Sequence, residues 1–218
     1  MRRVIVLTLL LSLTLCSGAW ALDLNGVLAG VKARYSKAKD LTVDFEQVAK
    51  IKQLGNREKK AHGTIYLARP DKMRWVYKSP PVKEIITDGA SLVIYYADEK
   101  KAYLDMAGKT FNVAEPIKIL SGDIDLKHKY EAELLPEEDG RARIKLTPRR
   151  PMGFAHLVLH IEPKTFYVRR VDTVDAYGNV TRISLSTPRF NVNLPESTFV
   201  YTPQEGVEII DAPMMDGL

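Results

Sequence analysis

The sequence predicts a mainly β domain in which a large antiparallel sheet is curled or closed into a barrel. About eleven strand-like segments with a period of two follow one another at close spacing, and turn-forming Gly, Pro and Asp residues separate them. Only two segments have helical character, and they would be available to cover an open face of the sheet. The predicted strands are residues 41–51, 62–67, 72–78, 84–87, 92–96, 102–106, 130–135, 142–147, 155–161, 167–175 and 180–186.

The first 21 residues have the pattern of a secretory signal peptide. Residues 2–3 are both arginine, residues 4–15 are apolar apart from Thr and Ser, and residues 19–21 form an A-x-A cleavage site. The apolar run is too short for a stable membrane anchor, which needs about 20 residues. We therefore expect cleavage after Ala21 and export to the periplasm, with a retained N-terminal anchor as the alternative.

Cys16 raises the question of lipid attachment. Bacterial lipoprotein signals place a small residue directly before the lipidated Cys, whereas Leu15 stands there in this chain. We favour an unlipidated product over the lipidated alternative. The mature chain, residues 22–218, then contains no Cys and forms one domain that is stabilised by burial rather than by disulfides.

The mature chain is mildly basic. Removing residues 1–21 takes away two arginines and no acid, so the formal charge becomes 30 − 27 = +3. We expect this charge to be spread along the chain, without the clustered footprint of a nucleic-acid-binding protein. Basic pairs in predicted loops, such as Lys59-Lys60, Lys100-Lys101 and Arg149-Arg150, either contact acidic proteins or anionic headgroups or only aid solubility.

The first helical segment begins the mature chain. Its apolar residues fall at helical spacing and form one stripe, consisting of Leu24, Val27, Leu28, Val31 and Tyr35. Asp23 or Asn25 would cap its N-terminus. We expect the helix to end near Lys39, where the period changes to two.

A second, shorter helix is predicted within residues 109–126. Pro116 stands near its start and Gly122 just past its end, which is the usual punctuation of a helix. This segment interrupts the run of strands. It is therefore the second piece that could lie over the sheet.

Turn signals mark the ends of several strands. Arg69-Pro70 ends the second strand because Pro cannot donate to a sheet ladder, and Pro80-Pro81 interrupts the chain again. Asp88-Gly89 between β-branched runs predicts a hairpin. The mostly polar residues 52–60 predict a loop, and Tyr177-Gly178-Asn179 predicts a turn.

The sequence lacks the motifs of the common enzyme classes. It contains no G-x-S-x-G, G-x-G-x-x-G or P-loop pattern, and the mature chain has no Cys for thiolate catalysis or a Cys-rich zinc site. His156 and His160 fall in a predicted strand, where four residues separate them by roughly 13 Å, too far for one zinc ion. We expect a non-enzymatic protein without metal or cofactor.

Several motifs occur together in a characteristic order. Residues 44–47 read D-F-E-Q, residues 62–77 read H-G-T-I-Y-L-A-R-P-D-K-M-R-W-V-Y, and residues 80–96 run from P-P-V-K to D-G and L-V-I-Y-Y. Further on come D-A-Y-G-N at residues 175–179, N-L-P-E-S-T-F from Asn193, and P-Q-E-G-V from Pro203. Over nearly the whole mature chain this pattern resembles the periplasmic outer-membrane lipoprotein carrier family, LolA.

The resemblance implies both a fold and a task. The fold would be an incompletely closed antiparallel β-barrel with a helical lid over an apolar cavity. The protein, a monomer, would accept acylated lipoproteins from an inner-membrane ATP-driven release complex. It would shield their acyl chains in the periplasm and deliver them to an outer-membrane receptor, without nucleic acid or cofactor.

The resemblance also implies roles for particular residues. Arg69 matches the Arg of the family's R-P step and would act as a latch that holds the lid closed. Met73 departs from the pattern, because some family members carry Phe there. Seven apolar residues would line the cavity or support its wall, namely Phe45, Ile65, Leu67, Met73, Trp75, Tyr77 and Ile94.

Three alternatives to the carrier remain open. An outer-membrane lipoprotein receptor of the same fold would need a lipidated N-terminal Cys, which Leu15 disfavours. A periplasmic sensor would use the same lipid-binding barrel to control a partner, but such proteins usually carry a second domain. A carrier or binding module for another envelope lipid is the third.

Overall fold

A computed structural model of the protein describes most of residues 22–218, the expected mature chain. The described residues are 23–52, 55, 57–79, 81–106, 115–122 and 126–211. The expected signal peptide, the lipidation alternative at Cys16 and residues 212–218 lie outside them.

The described residues form three α-helices and thirteen strands, with 3₁₀ turns at Ile119–Ser121 and Glu196–Phe199. In chain order the elements are α1 (Leu24–Ser36), β1 (Asp40–Ile51), β2 (Arg57–Ala68), β3 (Lys72–Tyr77), β4 (Lys83–Thr87), β5 (Ser91–Tyr96), β6 (Lys101–Met106), α2 (Glu115–Lys118), α3 (Leu126–Lys129), β7 (Tyr130–Glu138), β8 (Arg141–Pro148), β9 (His156–Ile161), β10 (Val168–Val174), β11 (Val180–Leu185), β12 (Arg189–Phe190) and β13 (Glu208–Asp211).

The strands build one curled sheet that does not close on itself. The order is β13-β6-β5-β4-β3-β2-β1-β11-β10-β9-β8-β7, with β12 paired to β1. Strand β1 joins the two halves because it pairs with β2 on one side and β11 on the other. The predicted mainly β fold with an incompletely closed sheet is thereby confirmed.

One pair of strands departs from the predicted antiparallel arrangement. Strand β13 runs parallel to β6, with Glu208 opposite Lys101 and Asp211 opposite Leu104. A parallel pair needs a long connection, and the chain between β6 and β13 contains most of the second half of the sheet. Sequence periodicity did not reveal this strand, because it is short and lies at the edge.

Strand β2 begins earlier than the sequence predicted. Residues 57–60 were expected in a loop but belong to β2, which pairs with β1 as far as Ile51 opposite Arg57. The long ladder explains the difference, since backbone pairing with β1 does not depend on apolar side chains. An ion pair of 3.0 Å between Lys50 Nζ and Glu58 Oε1 lies across the two strands.

The two predicted helical segments are both present, with different bounds. The carboxylate of Asp23 caps α1 by accepting a hydrogen bond from Gly26 N at 2.5 Å. Helix α1 ends at Ser36 rather than near Lys39, because β1 already begins at Asp40. The second segment consists of α2 followed directly by the 3₁₀ turn, and the short α3 was not predicted.

Gly122 ends the second segment at a point where a side chain does not fit. Its φ of 72° lies in the left-handed region, and a Cβ there would stand 2.7 Å from Ser36 N. The backbone at the end of this segment therefore packs directly on the end of α1.

Helix α1 is fixed to the β9–β10 side of the sheet. A Cβ at Gly30 would stand 2.4 Å from the ring of Phe166, so the ring lies against the bare helix backbone. The Tyr35 hydroxyl accepts a hydrogen bond from Val168 N at 3.1 Å, and burial raises the pKa of Tyr35 to about 12. These contacts make α1 an integral part of the fold.

Replacing Gly30 with Ala tests this packing. Ala within a helix usually stabilises by about 1 kcal/mol relative to Gly, but overpacking costs about 1–3 kcal/mol. Because the clash is with a ring, we expect Gly30→Ala to lower the free energy of unfolding by about 1–2 kcal/mol in urea denaturation. In a Phe166→Ala background the same change should no longer destabilise. A stabilising Gly30→Ala in the otherwise unchanged chain would contradict this packing.

Candidate functional site

The inward face of the sheet brings together all seven residues that the sequence singled out. Phe45 lies on β1, Ile65 and Leu67 on β2, Met73, Trp75 and Tyr77 on β3, and Ile94 on β5. Each is at most 6% exposed, and all belong to one contiguous apolar cluster. Their contact with a ligand stays a prediction.

Three of these residues form an aromatic cluster. The Phe45 ring meets Trp75 edge-on at 5.4 Å between centroids and Tyr77 at 5.0 Å, while Trp75 and Tyr77 stack at 5.3 Å. Gly63 lies opposite Phe45 in the register, and a Cβ there would stand 1.8 Å from the backbone oxygen of Val76 and 2.9 Å from Phe45 Cε1. The glycine thus makes room for the backbone of β3 and for the Phe45 ring.

The two polar groups of the aromatic cluster differ in their hydrogen bonding. The Tyr77 hydroxyl donates to Gln47 Oε1 at 3.0 Å, and burial raises the pKa of Tyr77. The buried indole N–H of Trp75 finds no acceptor among the residues that the structure describes. An unmet buried donor costs about 1–3 kcal/mol, so the interior is not optimised for stability at this point.

Lys83 lies at the border of the aromatic cluster, and sequence reasoning missed it. Its ammonium stands 4.7 Å from the centroid of the Tyr77 ring and 5.8 Å from that of Tyr96. Burial lowers the pKa of Lys83. Its place opposite Tyr77 and Tyr96 follows from strand pairing and has no signal in the local sequence.

Sequence reasoning also missed half of the apolar wall. The strands after β7 contribute a second set of buried inward residues to the same cluster, including Ile144, Leu146, Leu157, Leu159, Ile161, Val171 and Ile183. The alternation in residues 142–147 and 155–161 was visible in the sequence. It did not show that these strands face β2 and β3 across a common interior.

The helical segments close this interior. Val27, Leu28 and Val31 of α1 are buried in the same cluster as the sheet residues. Ile117, Ile119 and Leu120 of the second segment are also buried there, each at most 2% exposed. We call these two helical segments the cover, and their apolar side chains form one continuous buried cluster with the residues of the wall.

Arg69 connects the sheet with the second segment. Its guanidinium Nη2 donates a hydrogen bond of 2.8 Å to the backbone oxygen of Ser121, at the end of the 3₁₀ turn. The backbone N–H of Arg69 donates to Lys39 O at 3.0 Å, which places this residue where β2 ends beside the start of β1. A cation at the C-terminal end of a helical segment meets its unpaired carbonyl groups.

The two histidines considered as metal ligands lie on β9, as predicted. His160 is 1% exposed, with Nε2 2.7 Å from Arg170 Nη2 and Nδ1 3.4 Å from Glu138 Oε2. It therefore belongs to a buried network of charged side chains on this face of the sheet. Among the described residues, no group of three or more His, Cys, Asp or Glu side chains is arranged to hold a metal ion.

In the described part of the chain, no helix combines the length and apolar character that a membrane-spanning helix requires.

The family that matches this chain and several of its known relatives share one description. The family "Outer membrane lipoprotein carrier protein LolA" matches residues 36–202. An outer-membrane lipoprotein carrier protein of Chromobacterium violaceum is 30% identical, over 84% of this chain and 86% of its own length. One from Methylococcus capsulatus is 27% identical, over 83% and 86% respectively.

A solved structure supports the architecture. An uncharacterised conserved protein from Thermus thermophilus superimposes with a TM-score of 0.54, over 86% of this chain and 98% of its own. At 14% sequence identity this likeness concerns the fold alone.

Proposed function

The chain belongs to the LolA family of outer membrane lipoprotein carrier proteins, and we propose that it carries acylated lipoproteins through the periplasm. The acyl chains occupy the apolar interior between the curled sheet and its helical cover. The protein changes no covalent bond of its cargo, so it acts as a chaperone and not as an enzyme.

The observation that carries this proposal is the position of the cover. Ile117, Ile119 and Leu120 are buried in the same cluster as the wall residues Trp75 and Tyr77. An acyl chain that enters this cluster must displace apolar side chains, and in this proposal it displaces those of the second segment. Burial of an acyl chain contributes about 0.8 kcal/mol per CH₂, so a long chain can offset the loss of a few apolar contacts of the cover.

The proposed cargo route is supported by family membership rather than by the geometry. The protein receives lipoproteins from an ATP-driven release complex at the inner membrane and passes them to a receptor at the outer membrane. Such a carrier must hold its cargo strongly enough to prevent aggregation and weakly enough to permit transfer. A cover that competes with the cargo for one apolar face provides that balance.

In this proposal Arg69 is the latch of the cover. Its bond to Ser121 O ties the second helical segment to the end of β2. Helix α1 is fixed through Gly30 and Phe166, so the second segment is the part that moves. Restoring the bond between Arg69 and the segment would favour closure and help expel the cargo.

Native mass spectrometry of the protein purified from periplasm, without detergent or refolding, tests the function. We expect a chain that begins at Leu22 and a co-purified triacylated lipoprotein. A small phospholipid or glycolipid in its place would indicate a carrier of another envelope lipid. A triacyl modification at Cys16 would indicate a membrane-anchored receptor instead.

Replacing Arg69 with Leu tests the latch. The variant should fold, since the side chain lies at a strand end, but the cover should close less readily because the bond to Ser121 O is lost. We expect cargo to be accepted and its transfer to a membrane-bound receptor to fall at least about tenfold, as loss of one charge-assisted bond of about 1.5–3 kcal/mol implies. Transfer is measured by the appearance of cargo in the receptor fraction.

Arg74→Leu is the matched control for the latch. Arg74 Nη1 also donates to a backbone oxygen, that of Thr198 at 3.2 Å, but on the face of β3 that points away from the interior. This variant should transfer cargo normally. Normal transfer by Arg69→Leu, or an equal defect in both variants, would refute the latch.

Trp75 gives a direct signal of binding, because it is the only Trp of the mature chain. Its ring is 3% exposed within the aromatic cluster. Addition of a lipoprotein or another amphiphile should change the emission of Trp75. A Trp75→Phe/Val192→Trp variant, with its reporter at a position that is 41% exposed, should show no comparable change. An unchanged Trp75 emission at saturating ligand would count against a lining role.

A further inference from the structure

The β1–β2 hairpin extends beyond the neighbouring strand. Strand β3 pairs with β2 only from Gly63 to Ala68, whereas β2 itself begins at Arg57. Residues 57–62 therefore pair with β1 on one side and have no strand of the described chain on the other. We call residues 50–52 and 57–60 the hairpin tip.

The hairpin tip carries the net positive charge of the mature chain. Its five cations and one acid give 5 − 1 = +4, and because the mature chain totals +3, all other residues together carry 3 − 4 = −1. The charge is thus concentrated, contrary to the even spread expected from the sequence. Residues 57–60, for which the sequence predicts a loop, are held in place by backbone pairing between β2 and β1.

Most cations of the hairpin tip are not neutralised within the protein. Glu58 pairs with Lys50, and that contact, reinforced by Lys60, lowers the pKa of Glu58. By contrast, Lys52, Arg57, Lys59 and Lys60 form no ion pair with any residue that the structure describes. All four are exposed.

The cations point to both sides of the hairpin. Lys59 lies opposite Ala49 and Arg57 opposite Ile51, on the side that continues the Phe45 face. Lys60 lies opposite Val48 on the other side, together with Lys50. A single flat protein surface would meet only one of these sides, whereas a layer of lipid headgroups can surround both.

An exposed aromatic residue lies beside the hairpin tip. The β10–β11 turn is joined to it by a hydrogen bond of 2.9 Å from Lys52 N to Asn179 Oδ1. A Cβ at Gly178 would stand 3.5 Å from Lys52 Cδ, so the two segments are in contact. Tyr177 in this turn is 74% exposed. Tyr side chains are enriched at the interface between membrane and water.

We propose that the hairpin tip and Tyr177 together form a contact site for an anionic phospholipid surface. Clustered Lys and Arg side chains are attracted to acidic headgroups, and an aromatic ring adds interfacial contact. The contact is weak, reversible and reduced by salt, because it rests on exposed charges. It does not depend on the identity of the cargo.

The proposed contact site lies far from Arg69, the residue that holds the cover. The hairpin tip and Arg69 lie at opposite ends of β2, whose twelve residues span roughly 40 Å at about 3.3 Å each. A protein held at a membrane by the tip would keep its Arg69 end away from the headgroups. The protein would gather at membranes while its interior remained able to open.

Sedimentation with vesicles tests the proposal on the processed protein purified from periplasm. We expect binding to vesicles of an equal mixture of phosphatidylcholine and phosphatidylglycerol, and none to vesicles of phosphatidylcholine alone. Lys59→Gln/Lys60→Gln should lower the affinity for the anionic vesicles at least about tenfold, since it removes two surface charges. Tyr177→Ser should lower it less, and added salt should weaken binding of the unchanged protein.

Lys37→Gln/Lys164→Gln is the matched control. It removes the same charge from two exposed positions, at the end of α1 and in the β9–β10 turn, outside the hairpin tip. This variant should bind nearly as the unchanged protein does. Absence of binding to anionic vesicles, or an equal loss in both double variants, overturns the proposal. Binding of the hairpin tip to an acidic protein, without binding to anionic vesicles, would also overturn it. Cargo co-purification and Arg69-dependent transfer remain independent of all these outcomes.

Discussion

The inward face of the sheet is apolar along both halves, and the sheet does not close over it. Strands β7 and β13 form the two ends of the strand order and do not pair with each other. An apolar face left in water is unfavourable by about 25 cal/mol per Å², so other parts of the chain must cover it. The placement of both helical segments follows from this requirement.

The two covering segments are attached in different ways. The backbone of helix α1 at Gly30 packs on the ring of Phe166. The hydroxyl of Tyr35, also in α1, accepts a hydrogen bond from Val168 N. The second segment is short, approaches α1 at Gly122 and meets the sheet through Arg69. Closely packed backbone is hard to separate, and Gly122 holds the end of the second segment against α1 in this way. The segment meets the sheet through the charged side chain of Arg69, which exchanges readily with water. This arrangement supports a fixed helix α1 and a second segment that moves in the part before Gly122.

Strand β2 links the two features to which we assign functions. Arg69 follows its last residue, and the cationic hairpin tip contains its first. Because β2 is paired with β1 along its full length, the distance between the two ends does not vary with the state of the cover. Membrane contact and cargo exchange can then take place at separate ends of one rigid hairpin.

Sequence periodicity located the strands well, because each strand buries one face and so repeats every two residues. It also identified α1, whose stripe includes Val27 and Val31, and the Pro-to-Gly segment before Gly122. It missed β12 and β13, which are too short to show a period, and the start of β2. There, pairing with β1 holds residues 57–60 in a strand without any apolar pattern.

For the candidate site, local pattern identified the apolar residues but not their neighbours. The run of motifs around Phe45, Arg69 and Trp75 was sufficient to indicate the family. That Lys83 stands over Tyr77, and that the strands after β7 supply the opposite wall, depends on contacts between residues far apart in the chain.

The sequence by itself determined which side chains are apolar, which are charged and where the chain turns, because those are properties of single residues and short periods. Only the tertiary structure decided which face of each strand points inward, that Arg69 meets Ser121, and that the β1–β2 ladder extends through Arg57. All three depend on pairing and packing between different elements. These contacts are chosen by the burial of the whole sheet and not by any one segment.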